Sequence, residues 1–133
     1  MGVILDTSVL IACERSSLDI DNLIQGREQE PFGISVITVS ELLHGVHRAD
    51  SEKRRLIRAA FVQKTIDSFP IYLFDVLSAR IYAEIWANLL KKSIQIGAHD
   101  LMIASTAISL GFSVVTHNIR DFRKIKGLAV EVW

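Results

Sequence analysis

A chain of 133 residues is long enough for one domain with a substantial core, and residues 1–133 are expected to form no second domain. Fifteen basic and fifteen acidic residues leave a formal charge of zero, which excludes a whole-molecule field for nucleic acid or acidic membrane and refers any such case to local charge. The single cysteine, Cys13, excludes an intrachain disulfide and a cysteine zinc site, and suits a reducing cytoplasm.

Short apolar, β-branched runs recur along the chain: VIL at 3–5, ISVIT at 34–38, IYLF at 71–74, FSVVT at 112–116 and LAVEVW at 128–133. The first is broken by Asp6 and has no basic stretch before it, so it reads as a strand and not as a secretory signal. Between the runs, the spacing predicts helices over 7–14, 19–25, 38–47, 51–67, 76–92 and 98–110. Continuous apolar runs indicate strands covered on both faces, hence an α/β fold with a central parallel sheet and helices on each side. Residues 101–119 lack Asp, Glu, Lys and Arg, but Ser105, Thr106 and Ser109 interrupt the stretch and Gly111 reads as a helix stop, so no membrane span is expected. Half of the residues are apolar and mean hydropathy is +0.31, so a partner or dimer interface is expected to cover some of the surface. The stripe Ala79, Tyr82, Ala83, Trp86, Leu89 and Leu90 reads as core or interface.

Ligands of open parallel sheets sit at the carboxyl ends of the strands. Polar residues gather there: Asp6, Thr7 and Ser8 after the first run; Thr38, Ser40 and Glu41 after the second; Asp75 after the third; Thr116, His117 and Asn118, with Asp121 further on, after the fourth. Asp100 opens the helix that feeds the fourth run and shares a stripe with Ile103, Ala104, Ala107 and Ile108, so its carboxylate faces a core. A buried carboxylate without a partner is costly.

Each acid also has a local structural role open to it. Asp6 can cap the helix beginning at Thr7, TVSE at 38–41 matches a capping box around Glu41, and Asp100 can favour the positive end of its helix. Their conjunction points further, because two carboxylates about 5 Å apart repel by roughly 3 kcal/mol at an effective dielectric of 20. Three gathered at a strand edge call for a cation, and oxygen ligands suit Mg²⁺ or Mn²⁺ better than zinc. Such an ion among carboxylates points to phosphodiester hydrolysis. His44, His47, His99 and His117 lack zinc-site spacing, and His99 lies about 100° around the helix from Asp100. The basic run Arg48, Lys53, Arg54, Arg55 and Arg58 reads as a solvated face or as a grip on phosphates, with Arg54, Arg55 and Arg58 on one helix face.

VILDTSVLIA at the start, TVSELLHGV at 38–46, IGAHDLMIASTAISLGFSVVTHNIRDF at 96–122 and IKGLAVEVW at the end together resemble the PIN-domain ribonucleases, most closely the VapC-type toxins of prokaryotic toxin–antitoxin pairs. The resemblance implies a three-layer α/β/α domain, Mg²⁺- or Mn²⁺-dependent endoribonuclease activity, and a cognate antitoxin that occupies or disrupts the site. It places Asp6 and Asp100 on metal-binding aspartates, Glu41 on the central acidic residue, and Ser8 and Thr116 on supporting hydroxyls. The family often shows Thr, any residue, then Asp, where this chain has Thr116, His117 and Asn118, so Asn118 offers a neutral amide oxygen and a second metal is expected to bind more weakly. Asp121 is a candidate to compensate, and Ser93 stands where the family frequently has glycine. The family and the apolar excess both favour a homodimer that pairs with the antitoxin.

Two other readings remain from the sequence. A receiver-like signalling domain would also place acids and a Thr at a parallel sheet edge, with Asp75 and Thr116 in those positions. A PIN-like binding module without catalysis would make Asn118 the mark of a decayed site.

Overall fold

The computed structural model describes residues 1–15 and 18–133. Five strands, β1 (Val3–Leu5), β2 (Phe32–Ser35), β3 (Ile71–Tyr72), β4 (Ser113–Val115) and β5 (Val130–Glu131), form one parallel sheet in the order β3-β2-β1-β4-β5. Val3 pairs with Phe32 on one side and Ser113 on the other, so β1 is central. The helices are α1 (Thr7–Glu14), α2 (Ile20–Ile24), α3 (Val36–His47), α4 (Glu52–Ser68), α5 (Val76–Lys91), α6 (Ala98–Leu110) and α7 (Ile119–Phe122).

Two cores, one on each face of the sheet, make the three-layer α/β/α arrangement. Val3, Leu5, Phe32, Ile34 and Val115 pack with Val9, Leu10, Leu42, Val46 and Val62 from α1, α3 and α4. Ile4 and Val114 turn the other way, onto Leu89, Ile103, Ala104, Ala107 and Phe122 from α5, α6 and α7. Successive strand side chains point to opposite faces, and here both faces are dry, which is why the runs are apolar throughout.

The second strand differs from its expected span. ISVIT was expected to be extended over 34–38, but β2 ends at Ser35, whose side chain accepts the Ile37 N–H at 3.0 Å and starts α3 two residues earlier than the spacing predicts. The cap overrides the β preference of Val36 and Ile37. The outer strands are also shorter than their apolar runs, and α7 was not anticipated. The uncharged stretch 101–119 is divided as expected: α6 ends at Gly111, whose φ of 70° suits glycine, and β4 follows. Among the described residues no helix is long and apolar enough to cross a membrane.

The receiver reading does not survive this topology. In that fold the third strand lies beside the first, whereas here β2 separates β3 from β1. Asp75 accepts the Ser78 N–H at 2.9 Å and so serves as the cap of α5. The α5 stripe is only partly core: Leu89 is buried while Trp86 and Leu90 are exposed.

Candidate active site

Asp6 follows the central strand and is 3% exposed. It occupies the N-cap position of α1, yet its side chain makes no capping bond, contrary to the simplest reading of the sequence. Instead Oδ2 accepts hydrogen bonds from Ser8 Oγ and Thr116 Oγ1, each at 2.8 Å. Each hydroxyl has one proton to give, and its lone pairs accept the backbone N–H of the loop beyond β4: Ser8 from His117 at 3.0 Å, Thr116 from Asn118 at 2.8 Å. Asp6 thereby holds together the carboxyl ends of two adjacent strands.

Glu41 lies in the second turn of α3, because the helix begins at Val36. TVSE is therefore not a capping box; Ser35 is the cap, and the Glu41 carboxylate is left for other partners. Thr7 Oγ1 donates to Glu41 Oε1 at 2.7 Å and lies 3.1 Å from Oγ1 of the fully buried Thr38. His99 Nδ1 stands 3.5 Å from Glu41 Oε2. The helical spacing puts His99 about 100° around α6 from Asp100, and because α3 packs against α6 that rotated side chain reaches Glu41 on the neighbouring helix. Thr7 was legible only as a polar residue after a strand, since its partner is 34 residues away.

Asp100, in the first turn of α6, is half-buried. Its Oδ2 accepts from Asn118 Nδ2 at 2.9 Å, and the same amide nitrogen reaches Asp121 Oδ2 at 3.3 Å. Asn118 was expected to offer its amide oxygen; two anionic acceptors select the donor end instead. Burial first, then the charges of Asp6 and Glu41, push the Asp100 carboxyl up to about 6, against a downward pull from Asn118. Asp121 is held below the ordinary carboxylate range by Lys124, whose Nζ lies 3.1 Å from Oδ1, and by Asn118.

Among the described residues neither Asp6 nor Asp100 forms an ion pair with Lys or Arg. Nor do three His, Cys, Asp or Glu side chains among them converge closely enough to hold a metal ion as they stand. Each of these hydrogen bonds engages a single oxygen, Oδ2 of Asp6, Oε1 of Glu41 and Oδ2 of Asp100, and leaves the second oxygen of each carboxylate outside it. The donor set fits a hard divalent cation in chemistry: all oxygen, anionic, and with the Asp100 charge opposed by its carboxylate neighbours.

Beside this centre runs a groove of about 390 Å³ whose lining includes Glu41, Arg48, Asp50, Arg54 and Arg58. Three of the four candidate phosphate-binding arginines therefore share a surface with an acid of the cluster. Arg55 does not line it; its guanidinium pairs with Glu52 on its own helix. A second cavity, of about 380 Å³, is lined by Glu41, Gly97, Ala98, His99 and Asp100.

The PIN domain family model matches residues 3–128. Ribonuclease VapC1 of Rickettsia felis is 39% identical over 133 residues, covering 98% of this chain and 95% of the relative. The tRNA(fMet)-specific endonuclease VapC of Salmonella typhimurium is 36% identical over 100 residues, covering 75% of this chain and 74% of its own. Among solved structures, VapBC2 from Rickettsia felis bound to a DNA fragment from its promoter aligns with a TM-score of 0.89 at 27% identity, covering 100% of this chain and 99% of the other. DNA-bound VapBC from Salmonella typhimurium aligns with a TM-score of 0.88 at 30% identity, covering 100% and 98%. The chain belongs to the PIN domain family and, within it, to the VapC ribonucleases.

Proposed function

We propose that the chain is a metal-dependent endoribonuclease, acting in the cytoplasm as the toxin of a toxin–antitoxin pair. The observation that carries this reading is the position of Asp6, Glu41 and Asp100: three acids at the carboxyl edge of the sheet, where the charges of Asp6 and Glu41 help raise the Asp100 carboxyl, in a chain of the VapC ribonuclease family. Asp6, Glu41 and Asp100 are the residues that would hold Mg²⁺ or Mn²⁺. When bound, such an ion neutralises charge developing on a phosphoryl oxygen and lowers the pKa of water.

The chain's own residues supply the rest. Ser8 and Thr116 hold Asp6, Thr7 holds Glu41, and Asn118 holds Asp100 while tying it to Asp121. A water hydrogen-bonded to a carboxylate of this cluster attacks phosphorus in line with the bond to the 3′ oxygen. Its oxygen joins phosphorus as one proton passes to the carboxylate, the P–O3′ bond breaks, and the departing O3′ takes a proton from solvent water, leaving a 5′-phosphate and a 3′-hydroxyl. Arg48, Arg54 and Arg58 grip the RNA backbone along the groove that Glu41 opens. A cognate antitoxin is the protein partner, and a homodimer is the assembly that receives it.

The test is cleavage of total cellular RNA by the purified, antitoxin-free protein with Mg²⁺, Mn²⁺ or EDTA, beside Asp100→Asn. Cutting that needs a divalent metal and is lost in the variant supports the reading. Full activity in Asp100→Asn would overturn the site. A folded protein that cuts nothing under any metal favours the binding-module reading.

A further inference from the structure

The loop beyond β4 and the helix that follows carry a second concentration of positive charge. NIRDFRKIKG at 118–127 contains Arg120, Arg123, Lys124 and Lys126 against one acid, Asp121, in a chain whose formal charge as a whole is zero. Lys124 and Lys126 line a cavity of about 230 Å³ together with Lys92, just past the end of α5, and with Glu84 as the acidic residue of the lining. Lys92, Lys124 and Lys126 are all exposed.

This surface is continuous with the acidic centre. Lys124 Nζ lies 3.1 Å from Asp121, Asp121 lies 3.3 Å from the Asn118 amide, and that amide lies 2.9 Å from Asp100. The arginine groove meets the centre through Glu41 instead. Glu41 thus connects the acids to one cationic surface, and Asp121 connects them to another.

We propose that Lys92, Lys124 and Lys126 form a second phosphate-binding surface, which holds the backbone of single-stranded RNA beyond Asp121 while the arginine groove holds it beyond Glu41. The proposal rests on the ribonuclease reading. Lysine ammonium groups on flexible stems suit a sequence-independent grip on phosphates, since they act as point charges without the fork geometry of arginine. One strand crossing the acids between two such surfaces brings a phosphodiester over Asp100 wherever its bases lie.

The test is binding of a short, mixed-sequence single-stranded RNA oligonucleotide, followed by fluorescence anisotropy in EDTA across a series of salt concentrations. Lys92→Glu/Lys126→Glu is compared with wild type and with Arg80→Glu, an exposed charge reversal elsewhere on α5. The double variant is expected to bind about tenfold more weakly or worse, with the slope of log affinity against log salt shallower by about 1.4, corresponding to two lost phosphate contacts. Affinity and slope no further from wild type than those of Arg80→Glu overturn the proposal. Cleavage distinguishes the two failures: a wild type that cuts RNA while the double variant binds normally loses only this surface. A wild type that binds RNA through these lysines yet never cuts keeps the surface and loses the ribonuclease. Duplex DNA preferred over RNA at these lysines would reassign the surface and overturn the proposal.

Discussion

Thr7 donates its hydroxyl proton to Glu41 at 2.7 Å, joining the first turn of α1 to the second turn of α3. Thr7 is buried, so the bond orients an acid from behind while its other oxygen faces His99. A hydrogen bond to a charged group contributes about 1.5–3 kcal/mol when its partner cannot be replaced by water. Thr7→Val keeps the shape and removes the donor. It is expected to lower the rate of RNA cleavage about tenfold, while Thr7→Ser retains most of it. Equal rates for the valine and serine variants would show that Glu41 is positioned without Thr7.

Asp100 makes the metal-free protein sensitive to pH. Its carboxyl sits at about 6 in the folded chain against an ordinary value of 3.8, so between those values the native state holds more protons than the unfolded one. Stability from this group is fully present below about 3.8 and is lost as pH rises through about 6. The loss is about 1 to 2 kcal/mol after allowance for partial solvent screening. Urea midpoints measured in EDTA from pH 4 to pH 7 are expected to fall more in wild type than in Asp100→Asn, leaving the variant the more stable at pH 7. Parallel curves for the two proteins would contradict this.

Arg48 and Arg54 line the groove that reaches Glu41, whereas Arg55 points to Glu52. The Arg54–Asp50 pair is well exposed and contributes at most about 1 kcal/mol, so a phosphate displaces it readily. Arg48→Glu and Arg54→Glu are each expected to weaken RNA binding and reduce its salt slope by about 0.7, while Arg55→Glu leaves both close to wild type. A uniform effect of all three would return the run to a solvated face.

Ser93 has a φ of 56°, the left-handed conformation, immediately after the cap of α5. The Ile94 N–H reaches back to the Leu89 carbonyl at 2.9 Å, closing the helix in the manner that usually employs glycine. Ser93→Gly is expected to stabilise the fold by roughly 1 kcal/mol and raise Tm by a few degrees, with cleavage unchanged. A lower Tm would mean that the serine side chain is needed there.

The chain's own order of residues determined what is settled over a few positions. The helix over 7–14, the stop at Gly111, the strand nature of VIL and FSVVT, and the covering of the sheet on both faces all follow from periodicity and capping within one turn or one strand. That Asp6 would follow the first strand and Asp100 would open the helix before the fourth was legible too, because both follow from local periodicity. What each acid would do there was not. Asp6 and Glu41 both matched local caps, and both were drawn away by hydroxyls from other elements: Thr116 lies 110 residues from Asp6, and Thr7 lies 34 from Glu41. The strand order, the turn of Asn118 toward two carboxylates, and the separation of Arg54 from Arg55 were likewise decided by tertiary packing. A hydrogen bond or charge contact depends on distance through space, and the crossovers of a parallel sheet bring together side chains whose sequence separation gives no local signal of the meeting.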